Sequence, residues 1–188
     1  MRTVGLRLAP GLLAALLLNS CGGSPEPAPL PKPSASSSSP AASASLTPPV
    51  MPEAARAKTK AGAEGLVRYF LVALNYSGRA GNTAALRHAY VSSCTRCEGI
   101  AEGIDRTYVA GGYYRGGDWL PRKITFYKIG GDDVAVLDAT VDYTAQTWVK
   151  RKNATPVKFR ASSNHLHAFQ LKWNPRLGWR VGALDPQQ

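Results

Sequence analysis

Cysteine is scarce in this sequence, which has three among its 188 residues. Three thiols are too few for a scaffold held by several disulfides, and too few for a zinc site built from four thiolates. The G-x-S-x-G turn of serine hydrolases is absent, as are the phosphate-binding loop and the glycine pattern of dinucleotide-binding domains. No short motif therefore identifies an enzyme class, and we assign no catalytic residue, metal or cofactor.

Acidic residues are also few, because 12 Asp and Glu accompany 23 Lys and Arg, for a formal net charge of +11. Such an excess indicates an acidic partner, for example nucleic acid, anionic lipid or a wall polymer. Hydrophobic residues make up 44% of the chain and aromatic residues 9%, enough for a packed core. At about 150 residues per domain, the length fits one domain with appendages.

No apolar run is long enough to cross a bilayer. The longest, residues 8–18, reaches about 16 Å as a helix, roughly half of the ~30 Å hydrocarbon core. Arg2 and Arg7 place positive charge before it, which is typical of a removable secretory signal. The two arginines are not adjacent, so the pattern favours the general export route over the twin-arginine route.

The residues after this run, Leu18-Asn19-Ser20-Cys21-Gly22, resemble the lipobox of bacterial lipoproteins. The resemblance implies that residues 1–20 are a signal peptide and that diacylglycerol is attached to the sulfur of Cys21, the mature N-terminus. Acyl chains such as palmitate on one residue give the double anchor that stable membrane attachment needs. The expected location is the extracytoplasmic face of the cell membrane.

This location changes the expected partners. Loss of Arg2 and Arg7 leaves 21 basic and 12 acidic residues, a net charge of +9 outside the cell. Nucleic acid is then not an expected partner. We expect the membrane through the lipid anchor, together with an anionic wall polymer, an envelope protein or a small apolar ligand.

Residues 21–52 read as a disordered spacer. Of the 31 residues that follow Cys21 in this segment, nine are Pro and eight are Ser. Such a composition cannot bury enough surface to offset its ordering entropy. A single domain is therefore expected to occupy residues 53–188.

Within this domain, helical periodicity precedes strand periodicity. Apolar steps of three and four predict a helix over 54–76 that Gly78 and Gly81 break, and Asn82 caps a short second helix. A third helix begins near Cys94, with capping-box spacing at Thr95 and Glu98, and stops at 111–112. Alternation then predicts strands over 122–129, 134–149, 165–173 and 179–184. The fold class is therefore α+β, with about three helices packed on an antiparallel sheet of about four strands.

This order of elements resembles the nuclear-transport-factor-2-like cone fold, in which a long helix lies in the hollow of a curved sheet. Several segments also resemble an uncharacterised family of actinobacterial lipoprotein domains, known as a domain of unknown function. These segments are 51–56, 63–70, 75–76, 93–97 and the glycine pair 111–112. The family resemblance implies a compartment and a fold but no reaction, and the cone fold hosts both enzymes and binding modules.

Cys94 and Cys97 are the sharpest chemical feature of the domain. In an oxidising compartment two nearby thiols are expected to form a disulfide, here at the start of the third helix. The alternative is a redox-active pair, since a helix N-terminus and the neighbouring Arg96 lower the pKa of a thiol. No βαβ unit of the thioredoxin kind accompanies the motif, so we expect a structural disulfide.

His165 and His167 occupy the same face of a predicted strand, about 6.5 Å apart. A metal needs a third ligand, which Asp138 or Asp142 supplies only if the strand register allows it. We therefore expect a pair of partly exposed sheet histidines, and a metal site is the alternative. In the cone-fold enzymes that this order of elements resembles, an Asp and a His share the pocket, so Asp138 with His165 is the enzyme hypothesis.

Positive charge concentrates at Lys150, Arg151, Lys152, Lys158 and Arg160, near one end of the sheet. We expect a solvated loop here, and a surface for an anionic wall polymer or lipid headgroup is the alternative. We expect a lipoprotein whose domain binds a ligand or partner, with a default site between the first helix and the sheet. A small cone-fold enzyme and a structural envelope interaction module are the alternatives.

Overall fold

The computed structural model describes residues 46–131 and 133–187. These residues form a 3₁₀ helix, three α-helices and seven β-strands. The 3₁₀ helix is Glu53–Arg56, and the α-helices are α1 (Lys60–Ala80), α2 (Ala84–Arg87) and α3 (Thr95–Val109). The strands are β1 (Tyr113–Gly116), β2 (Trp119–Ile129), β3 (Val134–Tyr143), β4 (Gln146–Val149), β5 (Val157–Phe159), β6 (Ser162–Asn174) and β7 (Gly178–Gln187). The α+β class predicted from the sequence is confirmed.

Helix α1 begins later than predicted because the chain folds back before it. Thr59 is the N-cap residue of α1, and its Oγ1 accepts a hydrogen bond from the Gly62 amide at 3.1 Å. A Cβ atom on Gly62 would lie 2.2 Å from the carbonyl oxygen of Ala57, so only glycine permits this close approach. The helix then runs through Gly78 and ends at Gly81, whose φ of 67° is left-handed.

The two shorter helices differ from the predictions at their first residues. The N-cap residue of α2 is Thr83 and not Asn82, although the Asn82 side chain accepts a hydrogen bond from the Ala84 amide at 3.0 Å. The capping box predicted at Thr95 and Glu98 does not form, because the Glu98 carboxylate binds Arg87 and Tyr90 instead. This side-chain network joins α2 to α3.

The strands form two antiparallel sheets. The four-stranded sheet has the order β2-β3-β6-β7, and a second sheet has the order β1-β4-β5. The strand predicted over 134–149 is therefore two strands in different sheets. Its break lies at Thr144, whose amide donates to the Asp118 carbonyl at 3.0 Å while its Oγ1 accepts from the Asp118 amide at 2.9 Å. This reciprocal pair holds the corner at which the chain passes between the sheets.

The space between the middle of α1 and the four-stranded sheet is filled. Phe70 of α1 meets Phe169 of β6 edge to face at 5.7 Å, and both are fully buried. The other large side chains of this layer with almost no exposure include Leu66, Val67, Leu71, Leu137, Val141, Leu171, Trp179, Val181 and Leu184. The default ligand site expected between α1 and the sheet is thus occupied by the core.

The start of the domain is tied to its last strand. The Trp179 indole nitrogen donates to the Ala57 carbonyl at 2.9 Å, and Met51 packs against the core. The domain therefore includes Met51, slightly before the predicted boundary at residue 53. Within residues 46–131 and 133–187, no helix has both the length and the apolarity needed to span a membrane. The predicted signal peptide, Cys21 and the spacer as far as residue 45 lie outside the described residues.

Candidate ligand cleft

A cleft of about 270 Å³ lies beside the filled core, where α1 and α3 meet the corner between the two sheets. Its apolar side chains are those of Leu74, Ile100, Ile104, Tyr114 and Trp119. The remaining lining residues are Asn75, Gly78, Gly99, Gly103, Gly116, Gly117, Asp118 and Gln146. A concave, largely apolar surface with a few polar groups is the usual form of a small-molecule site.

Three of the lining glycines are in helices, where glycine costs about 1 kcal/mol relative to alanine. Gly78 is in α1, whereas Gly99 and Gly103 are one turn apart in α3. None has a positive φ. A Cβ atom on Gly78 or Gly99 would meet nothing within 4 Å, and one on Gly103 would meet only the end of Arg106 at 4.0 Å. Neither backbone shape nor close packing requires these glycines, and their effect is to widen the cleft.

The polar groups of the cleft are mostly occupied by one another. The Asn75 amide donates to the Trp119 carbonyl at 3.0 Å and accepts from the Trp119 amide at 2.8 Å, which fixes β2 to α1. The Asp118 carboxylate is bound by Arg79 at 3.1 Å. Apolar side chains and the Gln146 amide are therefore what this cleft offers to a ligand.

A second cavity, of about 600 Å³, adjoins the cleft and shares three lining residues with it, Gly117, Trp119 and Gln146. Its other lining residues are Tyr143, Thr144, Lys158, Phe159, Arg160, Ser162 and His165. This second cavity is lined by two cations and by no carboxylate, unlike the first.

Aromatic and histidine side chains form the wall between this cavity and the core. The Tyr143 ring stacks on His165 at 4.2 Å, and its hydroxyl lies 2.5 Å from Nε2 of His167. Trp119 covers the other side of His167 at 4.5 Å. Burial, followed by the charges of His165 and Arg96, lowers the pKa of His167 to about 4. His167 is therefore neutral at neutral pH, and its Nδ1 has no hydrogen-bond partner among the described residues.

The two histidines share one face of β6, as predicted, but Asp138 is on the opposite face of the sheet. In the antiparallel register His165 is opposite Val141 and His167 is opposite Ala139, and paired residues share a face. Asp138 alternates with these residues, so its carboxylate points outward and accepts from the Tyr127 hydroxyl at 2.6 Å. The predicted pair of Asp138 and His165 is therefore wrong.

Asp142 also faces outward, where it binds Arg122 and accepts from the Asn164 amide at 3.1 Å. The register thus removes both proposed third ligands from the two histidines. His165 instead hydrogen-bonds to Ser162 at 2.8 Å. Among residues 46–131 and 133–187, no group of three His, Cys, Asp or Glu side chains is placed to hold a metal ion.

The disulfide expected between Cys94 and Cys97 is present at the start of α3. Both residues are buried, with 1% and 0% of their surface exposed. Attack by an external thiolate needs access to a sulfur, which this burial denies. The pair therefore fixes the start of α3, next to Arg96 and the cleft.

The basic residues 150–152 form the exposed turn between β4 and β5. Trp148, the aromatic residue next to them in sequence, does not join them, because it stacks on Tyr114 at 6.1 Å. Sequence reasoning also missed Trp119, Tyr143 and the helical glycines. The spacing of Gly99 and Gly103, four residues apart in a predicted helix, was the available signal.

A family model described as "Family of unknown function (DUF6318)" matches residues 33–174. Among curated proteins, none matches the chain.

One similar solved structure is the intermembrane space region of the chloroplast protein ARC6. It has a TM-score of 0.45 and 13% identity, over 66% of this chain and 93% of that chain. Another is a nuclear transport factor 2 (NTF2-like) superfamily protein from Salmonella enterica subsp. enterica serovar Typhimurium str. LT2. It has a TM-score of 0.39 and 14% identity, over 65% of this chain and 84% of that chain.

Proposed function

The chain belongs to the DUF6318 family, whose function is unknown, and from the site itself we propose that the domain binds a small, mainly apolar ligand. The observation that carries this proposal is the set of three helical glycines, Gly78, Gly99 and Gly103, around a cleft of about 270 Å³. A helix that only had to pack would gain stability from alanine at these positions. Glycine at these positions lowers helix stability but leaves the cleft open. We take the open cleft to be the space that a ligand occupies.

The residues around the cleft favour binding over catalysis. A catalytic site needs an acid, base or nucleophile placed beside the reacting atoms. Asn75 and Asp118, two of the polar side chains in the lining, are held by backbone or ion-pair contacts. Gln146, the third, is an amide and is neither an acid nor a base at neutral pH. The cleft therefore supplies shape and apolar contact, which are the requirements for binding.

We place this binding activity at the extracytoplasmic face of the cell membrane. The support is in the sequence, where an apolar run, the lipobox-like segment ending at Cys21 and a Pro- and Ser-rich spacer follow one another. Replacement of Cys21 by Ala is expected to release the protein into the medium, as detected by immunoblotting of membrane and medium fractions. Unchanged membrane retention would contradict the anchor.

We also propose that the domain has the cone form of nuclear-transport-factor-2-like proteins. Three helices precede the strands, and α1 packs its apolar side against the core face of the four-stranded sheet. In such a cone the open end is the natural position of a ligand site, which is where the α1–α3 cleft is proposed to lie. An experimental structure of the domain tests this arrangement directly.

The binding proposal is tested by filling the cleft. Gly99→Leu and Gly103→Leu each place a side chain into the open space, and each is expected to weaken binding of decanol at least about tenfold by calorimetry, because the ligand and the new side chain compete for one volume. Gly131→Leu is the matched control, since Gly131 is in the exposed β2–β3 turn with open space around it. Equal affinity in all three variants and the wild type would overturn the proposal.

A further inference from the structure

Resting on the proposed function, we propose that the ligand is an amphiphile with an anionic head group. Its apolar chain lies in the α1–α3 cleft, and its head lies in the adjoining cavity beside Lys158 and Arg160. The proposal depends on three features: the shared lining of the two cavities, the charge at the far end and the aromatic surface of Phe159.

The two cavities are adjacent, because Gly117, Trp119 and Gln146 line both. Gly117 has a φ of 80°, and a Cβ atom there would lie 2.1 Å from the side-chain nitrogen of Gln146. The glycine thus allows the corner to turn tightly between the two spaces. A ligand that is longer than the first cavity needs to pass only these three residues to reach the second.

Lys158 and Arg160 give the second cavity its positive charge. Neither forms an ion pair with any carboxylate of the described residues, and no acidic residue occurs between Asp142 and Asp185 in the whole sequence. Asp118, the acidic residue of the first cavity, is already bound by Arg79. The charge of the far end is therefore unbalanced and complements an anion.

Phe159 lies between the two cations in sequence and is 48% exposed in the cavity wall. In the register of β4 and β5, Phe159 is opposite Gln146 and shares its face of the small sheet, whereas Lys158 is opposite Thr147 and alternates with Phe159. About half of the Phe159 side chain is in water in the free domain. An apolar chain that covers the ring removes this area from water, and its anionic head then lies near the cations.

The proposal is tested with four ligands that share a ten-carbon chain: decyl phosphate, decanoate, decanol and decyltrimethylammonium. Calorimetry with the full-length protein at low salt is expected to show the two anions binding at least about fivefold more tightly than decanol, and the cation more weakly. This preference should shrink as salt is added, because the two cations are exposed. Whichever anion binds more tightly identifies the head group as phosphate or carboxylate.

The double variant K158A/R160A is expected to bind the anions no more tightly than decanol while it keeps the affinity for decanol. The control K123A/K128A removes the same charge from β2 and should keep the preference. Equal affinity for anion, alcohol and cation would contradict the anionic head group but would agree with the proposed binding of an apolar ligand. An absence of binding by all four would overturn the proposed function itself.

Discussion

The hydroxyl of Tyr143 and Nε2 of His167 lie 2.5 Å apart, at the end of β3 and on the inner face of β6. His167 is only 4% exposed, so this contact is its main polar interaction. Burial raises the pKa of Tyr143 and lowers that of His167 to about 4, which makes both side chains neutral near pH 7. A neutral hydrogen-bonded pair therefore closes the core beneath the second cavity.

This pair predicts that the domain loses stability in mild acid. The pKa of His167 is about 4 in the folded chain and about 6.5 in the unfolded chain. Between these values the unfolded chain binds a proton that the folded chain does not, so the free energy of unfolding falls as pH decreases. The expected loss from pH 6.5 to pH 4 is about 3 kcal/mol, measured by denaturant titration at several pH values.

The variant His167→Gln separates this contribution from the rest of the protein. Its stability is expected to be lower at pH 7 but nearly independent of pH between 6.5 and 4.5. His88→Gln is the control, because His88 is exposed on the surface after α2. If the free energy of unfolding of His167→Gln falls with decreasing pH as steeply as that of the wild type, the buried neutral imidazole is not the cause of the acid sensitivity.

Alanine at two helical glycines should have opposite effects. Gly103→Ala is expected to raise the free energy of unfolding by about 0.5–1 kcal/mol, because the site has room for a Cβ and helix propensity improves. Gly62→Ala is expected to lower it, because the new Cβ would lie 2.2 Å from the Ala57 carbonyl oxygen. Urea unfolding of both variants measures the difference. A loss of stability in Gly103→Ala would mean that this wall is packed and not open.

Arg87 is expected to matter more than an ordinary surface arginine. Its guanidinium binds both Glu98 and Asp105, and it holds the pKa of Glu98 below its usual value. Arg87→Met should therefore lower the Tm by at least about twice as much as Arg106→Met, which breaks an exposed pair one turn apart with Glu102. Thermal unfolding at pH 7 compares the two variants. Equal shifts would show that the network between α2 and α3 adds nothing to a single surface pair.

Reduction of the Cys94–Cys97 disulfide is expected to have a small effect. The loop that it closes spans a sequence separation of 3, so the chain entropy that it removes is worth at most about 2 kcal/mol. Unfolding by urea with and without dithiothreitol measures this difference. A larger loss, or turnover of a dithiol substrate, would indicate a role beyond fixing the start of α3.

Periodicity was sufficient to predict which segments are helical and that His165 and His167 share a face. It was insufficient at Thr144, because the alternation of apolar and polar residues continues through the corner where one predicted strand becomes β3 and β4. It was also insufficient at the start of α1, where Gly62 and the cap at Thr59 interrupt a continuous apolar pattern. The contact of Thr144 with Asp118, 26 residues away, decides the first boundary, and the close approach of Gly62 to the Ala57 carbonyl decides the second.

The candidate site was harder to predict because it depends on strand register. Asp138 and His165 are both on strands, and only the pairing of His165 with Val141 shows that Asp138 faces the other way. A shift by one residue would have reversed this result. Trp119 and Tyr143 were not predicted as site residues for the same reason. Their ring contact at 5.0 Å joins the first residue of β2 to the last residue of β3, and it depends on the strand register.

The most direct test of the proposed site is a nuclear magnetic resonance titration of the ¹⁵N-labelled protein with decanol. Glycine amides and tryptophan indoles give signals in separate regions of the spectrum, so the wall of the cleft can be followed without a new variant. The predicted result is a saturable shift of the Gly78, Gly99 and Gly103 amides and of the Trp119 indole. Absence of shifts at these four groups, or shifts confined to the β4–β5 turn, would contradict ligand binding in the cleft.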